Sequence, residues 1–122
     1  LKDRESSEMY LETIYILSQK SDTVRKIDIS KYMGYAKPSI TRGINLLKER
    51  GMVTVDDNGS LLLTDTGKAE AQRIYERHTV LTKIFMSLGV DKETASDDAC
   101  RMEHYISDTT FNAIKKHLEE HQ

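Results

Sequence analysis

Cys100, Glu103 and His104 stand within one short stretch and offer a sulfur, an oxygen and a nitrogen donor. A helix over residues 92 to 106 puts all three on one face, because positions three and four apart are neighbours. Met9 and Glu12 form a second pair with helical spacing near the N-terminus. His78, between the two, adds another imidazole. Thiolate, thioether, imidazole and carboxylate together make a donor set for a divalent transition metal. Each residue also has an ordinary reading. A helical cysteine is commonly a small buried hydrophobe, and Met9 beside an apolar arc is core. Glu12 and Glu103 are then solvated helix residues, and His78 and His104 surface or capped histidines.

The elements that must position these donors follow from periodicity. Ser6 and Ser7 can cap a helix running to about Lys20, with Tyr10, Leu11, Ile14, Tyr15 and Leu17 on one arc. Met9, Glu12 and Ile16 flank that arc. A second helix over about Lys26 to Met33 offers Ile27, Ile29 and Met33 for burial. Gly34 supplies a positive φ for the turn that follows. Pro38 suits the first turn of a third helix, which buries Ile40, Ile44 and Leu47. Met52-Val53-Thr54-Val55 and Ser60-Leu61-Leu62-Leu63 then read as two strands around the turn signal Asp56-Asp57-Asn58-Gly59. Thr64 or Asp65 caps a long helix over about 66 to 88, stopped by Gly89. Asp91 opens the helix carrying Cys100. Ser107 or Asp108 caps a last helix with Phe111, Ile114 and Leu118 on one face.

The fold class is therefore mainly α. A winged helix-turn-helix with a small β-hairpin wing (1–70) precedes an all-helical domain (71–122). Residues 24 to 50 carry seven Lys or Arg against two acids, while 91 to 122 carry eight acids against four bases. A basic lobe facing DNA and an acidic lobe attracting cations would produce that asymmetry despite the overall charge of −2. The third helix is the recognition helix in this reading. Arg42 can read guanine and Asn45 adenine, with Lys37, Ser39 and Thr41 on phosphates or in mixed roles. Arg25, Pro38, Lys48 and the wing residue Asn58 complete the candidate DNA-binding set. The wing-tip acids match phosphate poorly. Metal ligands flanking a DNA-binding pattern imply a repressor that needs a metal to bind DNA.

No apolar run approaches the roughly 18 residues of a membrane span. The charged opening Leu1-Lys2-Asp3-Arg4-Glu5 does not read as a signal peptide. The lone cysteine can form no internal disulfide, which fits a reducing, cytoplasmic setting.

The winged pattern, Glu8-Met9-Tyr10-Leu11, Leu62-Leu63-Thr64-Asp65-Thr66-Gly67, Arg77-His78 and Ala99-Cys100-Arg101-Met102-Glu103-His104 together resemble the DtxR/MntR family of metal-dependent repressors. The resemblance covers nearly the whole chain, with separated motifs in order. It implies an N-terminal winged helix domain, a helical dimerisation domain, a homodimer, and operator binding when loaded with Fe²⁺ or Mn²⁺. The iron-responsive branch places Met, Cys, Glu and His at its main site, matching Met9, Cys100, Glu103 and His104. The manganese branch has carboxylates where Met9 and Cys100 stand, with a Glu and a His matching Glu12 and His78. The iron branch's ancillary site needs a Glu and a second His where this chain has Thr82 and Ser96, so that site looks incomplete. In length the sequence compares with the manganese branch, without the SH3-like third domain of longer members.

Softer sulfur donors in place of carboxylates favour Fe²⁺ over Mn²⁺, with Co²⁺, Ni²⁺ and Zn²⁺ able to substitute in vitro. Ligation needs neutral imidazoles and a thiolate, so metal binding should release protons and weaken as pH falls. Three alternatives stand beside this reading. One is a winged-helix regulator sensing an organic ligand, although no pocket for one is evident in the sequence. Another is a structural zinc site. The third is a zinc hydrolase, since Cys100-x-x-Glu103-His104 is one residue from a His-x-x-Glu-His pattern. The metal-repressor reading expects no enzymatic activity and no small organic substrate.

Overall fold

The structure, a computed structural model, describes the backbone of residues 2–121 and the side chains of residues 6–121. It divides into two compact units, Leu1–Gln72 and Arg73–Gln122.

The first unit contains α1 (Lys2–Lys20), α2 (Lys26–Met33), α3 (Lys37–Glu49), β1 (Val53–Val55) and β2 (Leu61–Leu63). The start of α4 (Asp65–Ser87) also belongs to it. Tyr10, Leu11 and Ile14 of α1, Ile29 of α2, and Ile40, Ile44 and Leu47 of α3 form one core. Val53 and Leu61 from the strands and Ala71 from α4 extend it. This is the alternation expected of the hairpin: one strand face packs on the helices, while Leu62 points outward and is exposed. The strands pair antiparallel with Val53 opposite Leu63 and Val55 opposite Leu61. Asp56 folds back into the turn, its carboxylate accepting from the amides of Asn58 and Ser60, both at 2.9 Å. The amide of Leu61 donates to the carbonyl of Val24 at 2.7 Å, which ties the wing to the chain entering α2.

Two glycines set how closely these pieces approach. A Cβ on Gly43 would penetrate the ring of Tyr10, so α1 packs on α3 through a bare backbone. A Cβ on Gly67 would run into the carbonyl of Met52, where the first turn of α4 lies against the strand. Thr64 caps that turn by accepting from the Gly67 amide at 3.0 Å.

Three local expectations need correction. The first helix begins at Lys2, so Ser6 and Ser7 lie inside it. Ser7 is buried, and its hydroxyl accepts from Arg50 at 3.1 Å; it serves packing between elements instead of capping. Ile27 is 44% exposed, because the α2 face that meets the core is carried by Ile29. The helix carrying Cys100 stops at Met102, with Glu103 as its cap residue.

The second unit holds the rest of α4, then α5 (Lys92–Met102) and α6 (Asp108–Glu120). Gly89, at φ 97°, ends the α4 segment. The carboxylate of Asp91 caps α5 by accepting from the Thr94 amide at 3.0 Å. Ser107 caps α6 in the same way through Thr110. Ile74, Leu81, Ala95, Ala99 and Phe111 are buried.

Candidate functional site

The donors of the second unit meet around one carboxylate. Glu103 is 1% exposed at the end of α5. Its Oε2 lies 3.1 Å from Nδ1 of His78, which projects from α4. Its Oε1 lies 3.4 Å from Nε2 of His104, the next residue along, itself buried. His78, Cys100 and Glu103 each bring a ligand atom within 4.8 Å of the others, with Cys100 exposed and His78 half-buried. The structure brings together Cys100, on the last turn of α5, and Glu103, its cap residue. His104 lies past the helix end and meets Glu103 from the other oxygen. A thiol, a carboxylate and two imidazoles around a buried centre fit a divalent transition metal.

The far side of His78 faces a hydroxyl. Nε2 of His78 lies 3.3 Å from the hydroxyl of Ser96, and the hydroxyl of Thr82 donates to the His78 carbonyl at 2.7 Å. Ser96 thus meets the His78 ring, while Thr82 meets only its backbone. A ring held at both nitrogens has a set orientation, the role outer partners play around metal-ligating histidines.

Arg77 carries a role that the sequence reading left open. It is 3% exposed and donates to the carbonyl of Ile106 and the carboxylate of Asp108. Its guanidinium sits 5.3 Å from the ring centre of Phe111. These contacts pin the turn after Glu103 and His104, and the start of α6, to α4. Only the adjacency of Arg77 and His78 hinted at this.

Met9 and Glu12 both lie on α1 in the first unit, Met9 half-buried and Glu12 buried. Thr13 donates to the Met9 carbonyl at 2.8 Å.

The candidate DNA-binding residues also belong to the first unit. Lys37, Pro38, Thr41, Arg42, Asn45 and Lys48 are exposed along α3. Pro38 occupies the first turn, as its fixed φ favours. Ser39 is half-buried, and its carbonyl accepts from the Tyr10 hydroxyl at 3.2 Å. Arg25 and Asn58 are joined, the guanidinium donating to the Asn58 carbonyl at 3.2 Å. Arg25 therefore braces the wing as well as contributing charge. An open cleft of about 670 Å³ runs beside α3, lined by Tyr10, Tyr35, Ser39, Arg42, Asn45 and Glu49 among others. Burial pushes the Tyr10 phenol above its ordinary pKa, Tyr35 adds to this, and Arg42 opposes it. Tyr35 and Glu49 were not singled out in the sequence. Glu49 lies one helical turn from Asn45, a spacing that could have been read.

This first unit has the architecture of a winged helix-turn-helix DNA-binding protein. Residues 4–61 match the family described as iron dependent repressor, N-terminal DNA binding domain. Residues 64–122 match iron dependent repressor, metal binding and dimerisation domain. An uncharacterised HTH-type transcriptional regulator of Methanocaldococcus jannaschii is 30% identical over 118 residues, 94% of each chain. The transcriptional regulator MntR of Escherichia coli is 29% identical over 97% of this chain and 76% of its own. The diphtheria toxin repressor of Corynebacterium diphtheriae is 28% identical over 95% of this chain, which spans 52% of that repressor. A manganese-dependent transcriptional repressor solved with manganese superposes with a TM-score of 0.83 at 27% identity, covering 93% of this chain and 52% of its own. The chain belongs to the DtxR/MntR family of metal-dependent transcriptional repressors. That family consists of transcriptional regulators, and no helix among the described residues is long and apolar enough to cross a membrane.

Proposed function

We propose that this protein represses transcription of metal-uptake genes by binding operator DNA as a homodimer when loaded with Fe²⁺, with Mn²⁺ the second choice. The observation that carries the reading is the convergence of His78, Cys100 and Glu103 in a unit attached to a winged helix. His78, Cys100, Glu103 and His104 would hold the ion, and Met9 and Glu12 of α1 would complete the ligand set. A bound divalent cation would supply positive charge to the buried Glu103 carboxylate and a link between donors on separate helices. The sulfur donors support Fe²⁺ over the harder Mn²⁺.

The chain's own residues divide the remaining work. Arg42 and Asn45 would read base edges. Lys37, Thr41 and Lys48 would contact phosphates, and Arg25 with Asn58 would hold the wing. A dimer presents two recognition helices, whose spacing must suit half-sites about 34 Å or a multiple apart. Ligands drawn from both units would favour one such spacing, a population shift.

The test is DNA binding by metal-free protein under anaerobic conditions, with Fe²⁺ or Mn²⁺ added and then removed by chelator. Binding that appears with the ion and vanishes with chelator, while circular dichroism stays unchanged, is the expected result. Binding indifferent to chelator would indicate a non-metal effector. Unfolding on chelation would indicate structural zinc.

A further inference from the structure

His117 and His121 sit one helical turn apart at the C-terminal end of α6, outside the candidate centre built on Glu103. Both are exposed. Their rings stack with centroids 4.1 Å apart and planes 23° from parallel. Histidines four apart on one helix face form the pair used to grip zinc in helical motifs.

A second observation concerns the free nitrogen. Nδ1 of His121 lies 2.8 Å from the carbonyl oxygen of His117. A carbonyl can only accept, so Nδ1 carries the proton and donates it. In the neutral ring this leaves the lone pair on Nε2. Metal-ligating histidines are commonly oriented in this way, donating the other ring N–H to a backbone carbonyl. The position is also favourable for a cation. The last turn of a helix presents unsatisfied carbonyls and the negative end of the helix dipole.

We propose that His117 and His121 form a second, exterior metal site, selective for divalent ions that prefer imidazole: Cu²⁺, Ni²⁺ and Zn²⁺. Two neutral nitrogens with no carboxylate or thiolate bind Mn²⁺ and Fe²⁺ weakly, because affinity for such donors rises along the series to Cu²⁺. Water, or the same pair from a second copy of the chain, completes the shell. The site does not depend on the repressor reading. It predicts that Ni²⁺ and Fe²⁺ fill different numbers of places on the same protein.

The experiment is equilibrium dialysis of the full chain against Ni²⁺, comparing wild type with His117→Gln, His121→Gln and Glu103→Gln. His117→Gln and His121→Gln should each lose the same increment of bound Ni²⁺, while Fe²⁺ binding and Fe²⁺-dependent DNA binding stay at wild-type levels. The increment is one ion per chain if water completes the shell, or one per two chains if a second copy does. Glu103→Gln should retain it. Both histidines are exposed, so an unchanged circular dichroism spectrum is expected and checks the fold. Equal Ni²⁺ uptake by wild type and both histidine variants overturns the proposal. So does loss of the increment in Glu103→Gln alone.

Discussion

The carboxylate of Glu103 faces His78 with one oxygen, at 3.1 Å, and its chain neighbour His104 with the other, at 3.4 Å. Two imidazoles, one from α4 and one from the turn after α5, thus face one buried acid. Glu103→Gln keeps the shape and removes the charge. Metal affinity should fall at least about 100-fold, the upper end of what losing a mere supporting partner costs. Calorimetric titration with Fe²⁺ checks this, with circular dichroism reporting an intact fold. Unchanged affinity would remove Glu103 from the ligand set.

Metal preference should follow the sulfur donors. Met9→Asp combined with Cys100→Glu replaces a thioether and a thiol with carboxylates, which are harder. The double variant should need less Mn²⁺ than wild type to bind DNA and gain nothing with Fe²⁺. DNA-binding titrations against each ion measure the ratio. An unmoved ratio would mean that the sulfur atoms do not set selectivity.

The two close glycines make contrasting predictions about the first unit. Alanine normally favours a helix over glycine by about 1 kcal/mol. At Gly43 the added methyl meets the Tyr10 ring, which can tilt, so a net loss of about 1 kcal/mol is expected. At Gly67 it meets the Met52 carbonyl, which is backbone and cannot swing aside, so about 3 kcal/mol is expected. Thermal melts should show Gly67→Ala well below Gly43→Ala, at about 4 °C for each kcal/mol. The reverse order would show that the strand yields more easily than the ring.

Much of the first unit was legible because local signals and tertiary packing agree there. Arg25 to Gly34 bounds α2, with Gly34 at φ 72°. Ile40, Ile44 and Leu47 repeat at helical spacing and are all buried. The Asp-Asn-Gly turn separates two strands that pair as an antiparallel hairpin. The misreadings fall where a distant partner decides. Ser7 looks like a cap until Arg50, 43 residues away, pulls it inward. Nothing local announces that α5 ends at Met102, because Arg77 of α4 fixes the following turn through Ile106 and Asp108. At the candidate centre the donor types were legible from spacing. The pairing of His78 with Ser96 was not, because 18 residues and a turn separate them.

Asp91 gives the second unit a pH dependence of known sign. The Thr94 amide and hydroxyl hold its carboxyl below the ordinary value of 3.8. A depressed folded-state value contributes stability that is fully present above the unfolded value and fades as pH falls through the folded one. Asp91→Asn keeps a capping oxygen but cannot titrate. Metal-free wild type should therefore melt above this variant at pH 7, and the gap should close below about pH 4. A gap independent of pH would show that the cap acts through geometry alone.

In the proposed function, metal and operator binding share one equilibrium. Its most direct test is the Fe²⁺ affinity of the full chain, measured anaerobically with and without a DNA fragment selected for Fe²⁺-dependent binding. Linkage requires the two effects to be equal. If Fe²⁺ tightens DNA binding about 100-fold, a coupling of about 2.7 kcal/mol, then DNA must tighten Fe²⁺ binding about 100-fold. That reciprocal gain is the predicted result. An Fe²⁺ affinity that is the same with and without DNA would contradict the account.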